Sequence, residues 1–405
     1  MKALQSSIKI GLISIGLLLI KLMPLIDTAS GILTPVDTSV VNIGQIYRLL
    51  VFAVLILLAI KNNIKRNLYV LPLLILFMIV QCILNMNNVM QVIIAWTKLI
   101  TSILIFITYS SLIEKKHLSI KRIYDLLDLW AILYPIAFII PKLLGIDIVA
   151  SYDSTTGYKG AFYAVNEISF VLSVVVMYLI IRLDQNLKRK YIVLLVLNIF
   201  CIILLGTKSS LLVVLFFGIS FVYRVIFIHK KQVFKRWFIL VSLIVAVFIG
   251  WCIFYVQIQD IIQRLLWQRE YASASNFDFL TSGRIRRIEQ GFLMFTENPL
   301  YILFGWGLGL SILHIGIEMD FIDLLFGVGI IGFICIMAIY SIFYFHRCEK
   351  NYWNNLALLT ASILCCFAGH ILYYGQSGMA LGVLFLFLFI NKNDKNNRII
   401  RNYTE

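Results

Sequence analysis

Charged side chains are scarce: Asp, Glu, Lys and Arg together make up 14% of the 405 residues, against 61% hydrophobic. A soluble chain of this length carries about a quarter charged residues, so a water-soluble globular protein is excluded and lipid must be the solvent for most of the chain. Cysteine offers neither a disulfide framework nor a metal-ligand spacing, because Cys82, Cys201, Cys252, Cys335, Cys365 and Cys366 sit inside apolar runs and Cys348 in a short basic loop. They read as small hydrophobes. There is no Asp-x-Asp pair, no His-Glu-x-x-His, no Gly-x-Ser-x-Gly and no ligating Cys/His set. Gly206-Thr207-Lys208-Ser209 is not a P-loop, since glycine and lysine are not adjacent and position 201 is Cys. These absences leave no metal, cofactor or ATP site to assign, and cationic side chains as the groups able to handle a phosphate. Internal repeats and low-complexity stretches are absent as well.

What is present is long apolar runs. They are continuous rather than alternating, which excludes a transmembrane barrel and specifies an all-α polytopic membrane protein. With about 20 residues needed per crossing, about twelve transmembrane helices are expected, near 8–26, 45–60, 67–84, 91–113, 124–145, 161–182, 191–205, 209–228, 237–257, 320–345, 355–374 and 378–391. The first follows Lys2 and Lys9 as a signal peptide would, but it is long, contains Lys21 and lacks a small-x-small cleavage pattern, so it is expected to remain as the first span. The net charge of +15 is concentrated in alternate connections, as positive-inside topology requires and a nucleic-acid patch does not. Both termini are therefore expected in the cytoplasm. The chain divides into spans one to nine (1–257), a large extracytoplasmic loop (258–319), spans ten to twelve (320–391) and a basic cytoplasmic tail (392–405).

The outer loop is long enough for structure of its own. Ile261, Ile262, Leu265 and Leu266 form an apolar stripe beside Arg264, Arg269 and Glu270, as in an interfacial helix. A second helix is expected to start after Thr281 or Ser282, to place Ile285, Ile288, Phe292 and Phe295 on one face, and to stop before Asn298-Pro299. Residues 300–313, with Gly305, Gly307 and Gly309, are too few and too glycine-rich to span and suit a re-entrant or surface segment.

Ionisable groups at membrane depth cost roughly 2.5–3.5 kcal/mol each, yet cations gather toward the outer half. Lys21, Arg48, Lys98 and Lys142 lie in the outer parts of spans; Lys159, Lys208, Arg264, Arg269, Arg284, Arg286 and Arg287 lie on outer connections. Snorkelling to lipid phosphates accounts for any one of them. The group as a whole suits an anionic ligand at the outer surface, with phosphate or diphosphate the best match to Arg and Lys donors. Arg284 and Arg287 share a face at a helix start, where free N–H groups also favour an anion; a solvated basic helix end is the alternative. Glu318, Asp320 and Asp323 stand at the mouth of the tenth span with His314 nearby. A carboxylate there could be a general base; Asp320 also suits a helix-capping role, and Glu318, lying before the span, is the better base candidate. Asn166 and Glu167, about one turn into the sixth span, could face a ligand or pair with a lysine. His370, Tyr373, Tyr374 and Gln376 could line a polar cavity or belong to an aromatic belt.

Four segments occur in a familiar order: Gly160-Ala161-Phe162 through Asn166-Glu167; Gly206-Thr207-Lys208-Ser209-Ser210; Thr281-Ser282-Gly283-Arg284 with Asn298-Pro299 and Gly305-Trp306-Gly307; and Glu318-Met319-Asp320 leading into Gly329-Ile330-Ile331-Gly332. With the span count and late outer loop, the chain resembles the Wzy-type polysaccharide polymerases of the O-antigen ligase/polymerase superfamily. The resemblance implies a glycosyltransferase using a polyprenyl-diphosphate-linked oligosaccharide at the outer membrane face. It further implies that Arg284 stabilises the leaving diphosphate, that Arg287 assists, and that Glu318 or Asp320 activates the acceptor hydroxyl. Lys208, Lys159, Asn166, Glu167, Arg48 and His370 would then contact substrate, and flippase and chain-length-regulating proteins would be partners. Where many ligases carry a serine-arginine segment this chain has Lys208-Ser209, and where they carry a late histidine it has Glu318-Met319-Asp320, which points toward polymerase. A ligase of the same superfamily and a flippase or exporter of the lipid-linked unit are the competing expectations.

Overall fold

A computed structural model describes residues 2–33, 43–62, 64–143, 158–162, 164–227, 284–310, 317–367, 369 and 371–402, with isolated positions between 241 and 270; the side chains of 2–9, 65–68, 142, 143, 286 and 392–402 fall outside that description. Among the described residues there is no strand. Eight helices occupy the first half: α1 (Lys2–Leu33), α2 (Ile43–Lys61), α3 (Lys65–Leu84), α4 (Val89–Glu114), α5 (Ile120–Leu143), α6 (Val165–Gln185), α7 (Arg189–Leu205) and α8 (Lys208–Phe227). Five follow: α9 (Arg284–Glu297), α10 (Pro299–Phe304), α11 (Asp320–Arg347), α12 (Tyr352–Phe367) and α13 (Gly375–Asn402). Seven stretches among them are long and apolar enough to cross a membrane, in α1, α2, α4 with its preceding turn, α5, α6, α8 and α11; shorter apolar stretches lie in α3, α12 and α13. Leu57, Ile60, Leu76, Ile79, Leu215, Ile219 and Ile334 are exposed on the outer faces of these helices. Large apolar side chains displayed in that number suit contact with hydrocarbon. The chain is an all-α protein with helices of membrane-crossing length.

Helices stand where spans one to eight and ten to twelve are expected, while most of the ninth and of the 261–270 stripe lies outside the described residues. Helix α1 is longer than expected at both ends, 2–33 against 8–26, and α13 continues to Asn402 through the expected tail; two other ends fall short. The sixth starts at Val165 because residues 160 and 161 form a turn, and the eleventh stops at Phe367, leaving an irregular connection before Gly375.

The chain forms two compact units, the first from residues 1–22, 44–126 and 283–405, the second from 23–43 and 127–282. In the first, α4 and α13 cross closely: a Cβ on Gly382 would lie 2.5 Å from the Ser102 carbonyl oxygen. Small residues at such a crossing let two helix backbones approach, and Phe106 fills the flank against Phe385 and Phe389. Helix α12 is tied to α13 by buried Asn354, which donates to Leu388 O at 3.1 Å and accepts from Asn391 at 2.9 Å.

The main departure from an ordinary span is in α11, which is interrupted at Gly329 (φ 70°, ψ 176°). Backbone groups freed at membrane depth need partners, and the glycine-rich 304–310 segment supplies them. Trp306 and Gly307 N–H donate to Phe326 and Gly327 carbonyls, both at 3.0 Å. Gly305 (φ 77°) packs so tightly that a Cβ would fall 2.2 Å from Gly327 O, and one on Gly329 would fall 2.3 Å from Leu303 O. Gln81 of α3 closes the arrangement. Its amide donates to Phe304 O (2.8 Å) and Gly327 O (2.5 Å), and its oxygen accepts from Trp96 Nε1 (2.7 Å) and Leu308 N (3.0 Å).

In the second unit α6 is almost wholly buried. At one end Asp128 accepts from Tyr178 (2.6 Å) and Lys190 (2.7 Å), and Asp184 pairs with Arg224 (3.0 Å). At the other, Ser169 links to Thr207 (2.8 Å) and Ser209 (3.2 Å).

Gln81→Leu preserves bulk but takes away the partner of the Phe304 carbonyl, Trp96 Nε1–H and Leu308 N–H, and one of the two donors to Gly327 O. It is expected to cost about 3 kcal/mol or more and to lower the melting temperature in detergent by several degrees, whereas Leu76→Ala on the exposed face barely changes it. Equal melting of Gln81→Leu and wild type would contradict the role given to Gln81.

Candidate functional site

In the first unit the site is built around the connection between α12 and α13. Arg284, the first residue of α9, donates through Nη1 to the Phe367 carbonyl. A Cβ on Gly369 would lie 2.5 Å from Glu318 Cα, so the connection and the Glu318 backbone are in direct contact. Ile371 and Leu372 N–H both donate to Asp320 Oδ2, at 2.6 and 2.9 Å. Lys98 Nζ stands 5.8 Å from the Tyr374 ring centre, and Arg48 packs against Gly375, where a Cβ would come within 2.1 Å of Nε. Five of the ionisable residues singled out in the sequence thus converge on residues 367–375. His370 belongs to the same connection but lies outside the described residues, as does His314.

Glu318 is the centre of this arrangement. Its Oε2 lies 3.2 Å from Arg284 Nη2 and its Oε1 3.4 Å from Arg287 Nη1, so one carboxylate bridges two guanidinium groups. The Arg284 side chain is 10% exposed, and its Nε is buried without a hydrogen-bond partner. Glu318 also has a left-handed backbone, φ 62°, a conformation that costs a non-glycine residue free energy and persists only when its surroundings impose it. Here they do: Asp323 accepts from Ile317 N–H (3.2 Å) with one oxygen and Met319 N–H (3.0 Å) with the other, fastening the chain on both sides of Glu318. Ile317 and Met319 are buried in a cluster with Phe295, Trp306 and Phe326. With both neighbours anchored inward, Glu318 is aimed outward at the arginines.

Helix α9 starts and ends where the sequence indicates, but its inward face differs. Ile288 and Phe295 pack on the cluster, whereas Phe292 is 56% exposed. The cause is Gly291, whose missing side chain lets the helix approach Ile317 and Phe326; a Cβ there would stand 3.0 Å from each. That close approach centres the buried face on position 291 and turns Phe292 away.

Asp320 is wholly buried, with Oδ2 occupied by two backbone amides. It positions the connection, which leaves Glu318 as the carboxylate with access. Asp323, part of the acidic cluster but given no role from sequence, proves to be the group that shapes the Glu318 turn; its signal is the i, i+3 spacing from Asp320 in one helical turn. Lys159, Asn166, Glu167 and Lys208 belong to the second unit. Asn166 and Glu167 are half-buried in the first turn of α6, where an acid complements the helix dipole. Tyr158 N–H donates to Leu204 O at 3.1 Å, bringing the Lys159 strand of chain beside the α7–α8 turn that carries Lys208, and partial burial lowers the Lys159 pKa from its ordinary value. Among the described residues no three His, Cys, Asp or Glu side chains gather as metal ligands would.

Comparison with protein-family models, curated proteins and solved structures finds no match for this chain. The site must then be understood from its chemistry: two guanidinium groups at a helix start converge on the Glu318 carboxylate, and such donors also suit an anion with several oxygens.

Asp323→Asn replaces one accepting oxygen with a donor facing a backbone N–H. Hydrogen exchange at the 317 and 319 amides is expected to quicken roughly tenfold or more, the equivalent of losing at least one such bond, with amides deep in α4 unchanged. Unaltered exchange at 317–319 would show that Asp323 does not hold the turn.

Proposed function

We propose that this chain is a polysaccharide polymerase of the bacterial cytoplasmic membrane, transferring a glycan from a polyprenyl diphosphate onto a lipid-linked repeat unit at the outer face. The observation that carries the proposal is the pair Arg284 and Arg287 converging on one carboxylate, that of the candidate base Glu318. Supporting it are the cations Arg48, Lys98 and Arg284 gathered against the 367–375 connection and the sequence resemblance to Wzy-type polymerases. About twelve spans, cytoplasmic termini and an extracytoplasmic 258–319 segment belong to the same proposal, as do a flippase and a chain-length regulator as partners.

In the reaction the bond between the sugar C1 and the diphosphate oxygen breaks with its electron pair passing to the diphosphate. An acceptor hydroxyl oxygen bonds to C1, and its proton passes to the Glu318 carboxylate. A glycosyl diphosphate has a good leaving group, so the enzyme chiefly needs to offset charge developing on phosphate and to remove one proton. Arg284 and Arg287 serve the first need and Glu318 the second. Asp320 and Asp323 are positioning residues.

A second reading, a flippase of the same lipid-linked unit, draws support from the interruption of α11 at Gly329 and its pairing with the 304–310 segment, since broken helices recur in transporters. One experiment separates the two. Right-side-out vesicles containing the wild-type chain are expected to lengthen glycans on purified lipid-linked repeat supplied from outside, and Arg284→Ala should slow chain growth by roughly 10²–10³-fold, as loss of a charge-stabilising donor does. Unchanged growth in that variant removes the assigned site; translocation of the lipid without growth favours the flippase.

A further inference from the structure

A carboxylate lodged between two guanidinium groups is chemically a stand-in for the phosphate they would hold. Glu318 presents one oxygen to each arginine, at 3.2 and 3.4 Å, so the donors a diphosphate would use are engaged by the protein itself. Three features make this a built arrangement. First, Arg284 and Arg287 occupy the first turn of α9, where the helix dipole disfavours cations and favours an anion. Second, the Arg284 guanidinium is buried and anchored through Nη1 to Phe367 O, so it cannot swing away to seek another partner. Third, the Glu318 backbone is in a costly left-handed conformation imposed by Asp323 and Gly369, which aims its side chain at the arginines.

We infer that Glu318 is an internal competitor for the anion seat: it fills the Arg284–Arg287 position in the ligand-free protein and is displaced when a diphosphate enters. The exchange keeps the two cations neutralised at every stage and avoids leaving a guanidinium unpaired beside hydrocarbon, which is costly. It also couples the two halves of the site. While Glu318 is paired with the arginines it cannot approach an acceptor hydroxyl, and arrival of the diphosphate releases it. A free base is thereby present only when a donor is bound, which would suppress reaction with stray water in an empty site. The displacement itself depends only on the ion pairs; its meaning as base release rests on the proposed polymerase reaction.

The test is calorimetric titration of the purified full chain in detergent with inorganic pyrophosphate. Because a seat occupied by its own carboxylate is binding-competent only in the fraction of molecules where that carboxylate is away, apparent affinity falls by the same fraction. Glu318→Gln, which keeps the shape and removes the charge, is expected to bind pyrophosphate roughly tenfold tighter or more than wild type. Adding Arg284→Ala to that variant should abolish the gain. Equal or weaker binding by Glu318→Gln, a gain that survives Arg284→Ala, or no binding by any of these proteins overturns the inference. A second measurement needs no variant: carbodiimide labelling of Glu318 in the wild-type protein should rise when pyrophosphate is added, and unchanged or reduced labelling overturns it equally. Tighter binding in a protein that never lengthens glycans would retain the competitor and discard the polymerase; chain growth without tighter binding would do the reverse.

Discussion

A partly buried charge persists only where it is answered, and Glu318 is answered twice, by Arg284 and Arg287. Much of the first unit can be understood as the means of keeping those three side chains together. Asp323 and the buried neighbours Ile317 and Met319 set the carboxylate; the Phe367 carbonyl and the packing of α9 through Gly291 set the arginine. Asp320 then fastens the connection on which these elements rest, through the Ile371 and Leu372 amides. None of these groups would hold its place alone. Each restricts a residue that contacts the next, so the geometry at the ion pair is determined by backbone rather than by flexible side chains.

Beneath the site, the same economy of polar groups governs the break in α11. A helix interrupted at depth exposes carbonyls that neither water nor lipid can satisfy. The 304–310 segment answers two of them, Phe326 O and Gly327 O, with its own N–H groups, and Gln81 donates to Gly327 O as well and to Phe304 O while accepting from Trp96 and Leu308. A polar residue in an otherwise apolar stretch is here a structural keystone with all four hydrogen bonds made. By joining α3, α4, the glycine-rich turn and α11, it supports the start of α11, where Asp320 and Asp323 sit.

The helices were legible in the sequence because charge is excluded from apolar runs and gathers between them, so the boundaries of α2, α4, α7 and α8 fall within a few residues of the runs that define them. The end of α9 before Asn298-Pro299 was equally legible from the proline signal, while the cap expected at Thr281 or Ser282 lies outside the described residues. The Arg284–Glu318 neighbourhood could be suspected only from the rarity of outward charge. The interruption at Gly329 was hidden, since residues 320–345 form one apolar run and nothing local distinguishes that glycine from Gly332. Three of the Gln81 partners, Phe304, Leu308 and Gly327, lie more than 200 residues away in the chain, beyond the reach of any periodicity. Phe292 misled for a related reason: the inward face of α9 is centred on a glycine, which contributes nothing to a hydrophobic pattern. Asp320 and Glu318, two residues apart and chemically similar, acquired different roles only through burial.

The most direct measurement is a cryo-electron microscopy structure of the chain in lipid nanodiscs with a polyprenyl diphosphate bound. The account predicts diphosphate density between Arg284 and Arg287, with the Glu318 carboxylate withdrawn from both. Diphosphate density elsewhere, with Glu318 still bridging the two arginines, would contradict it.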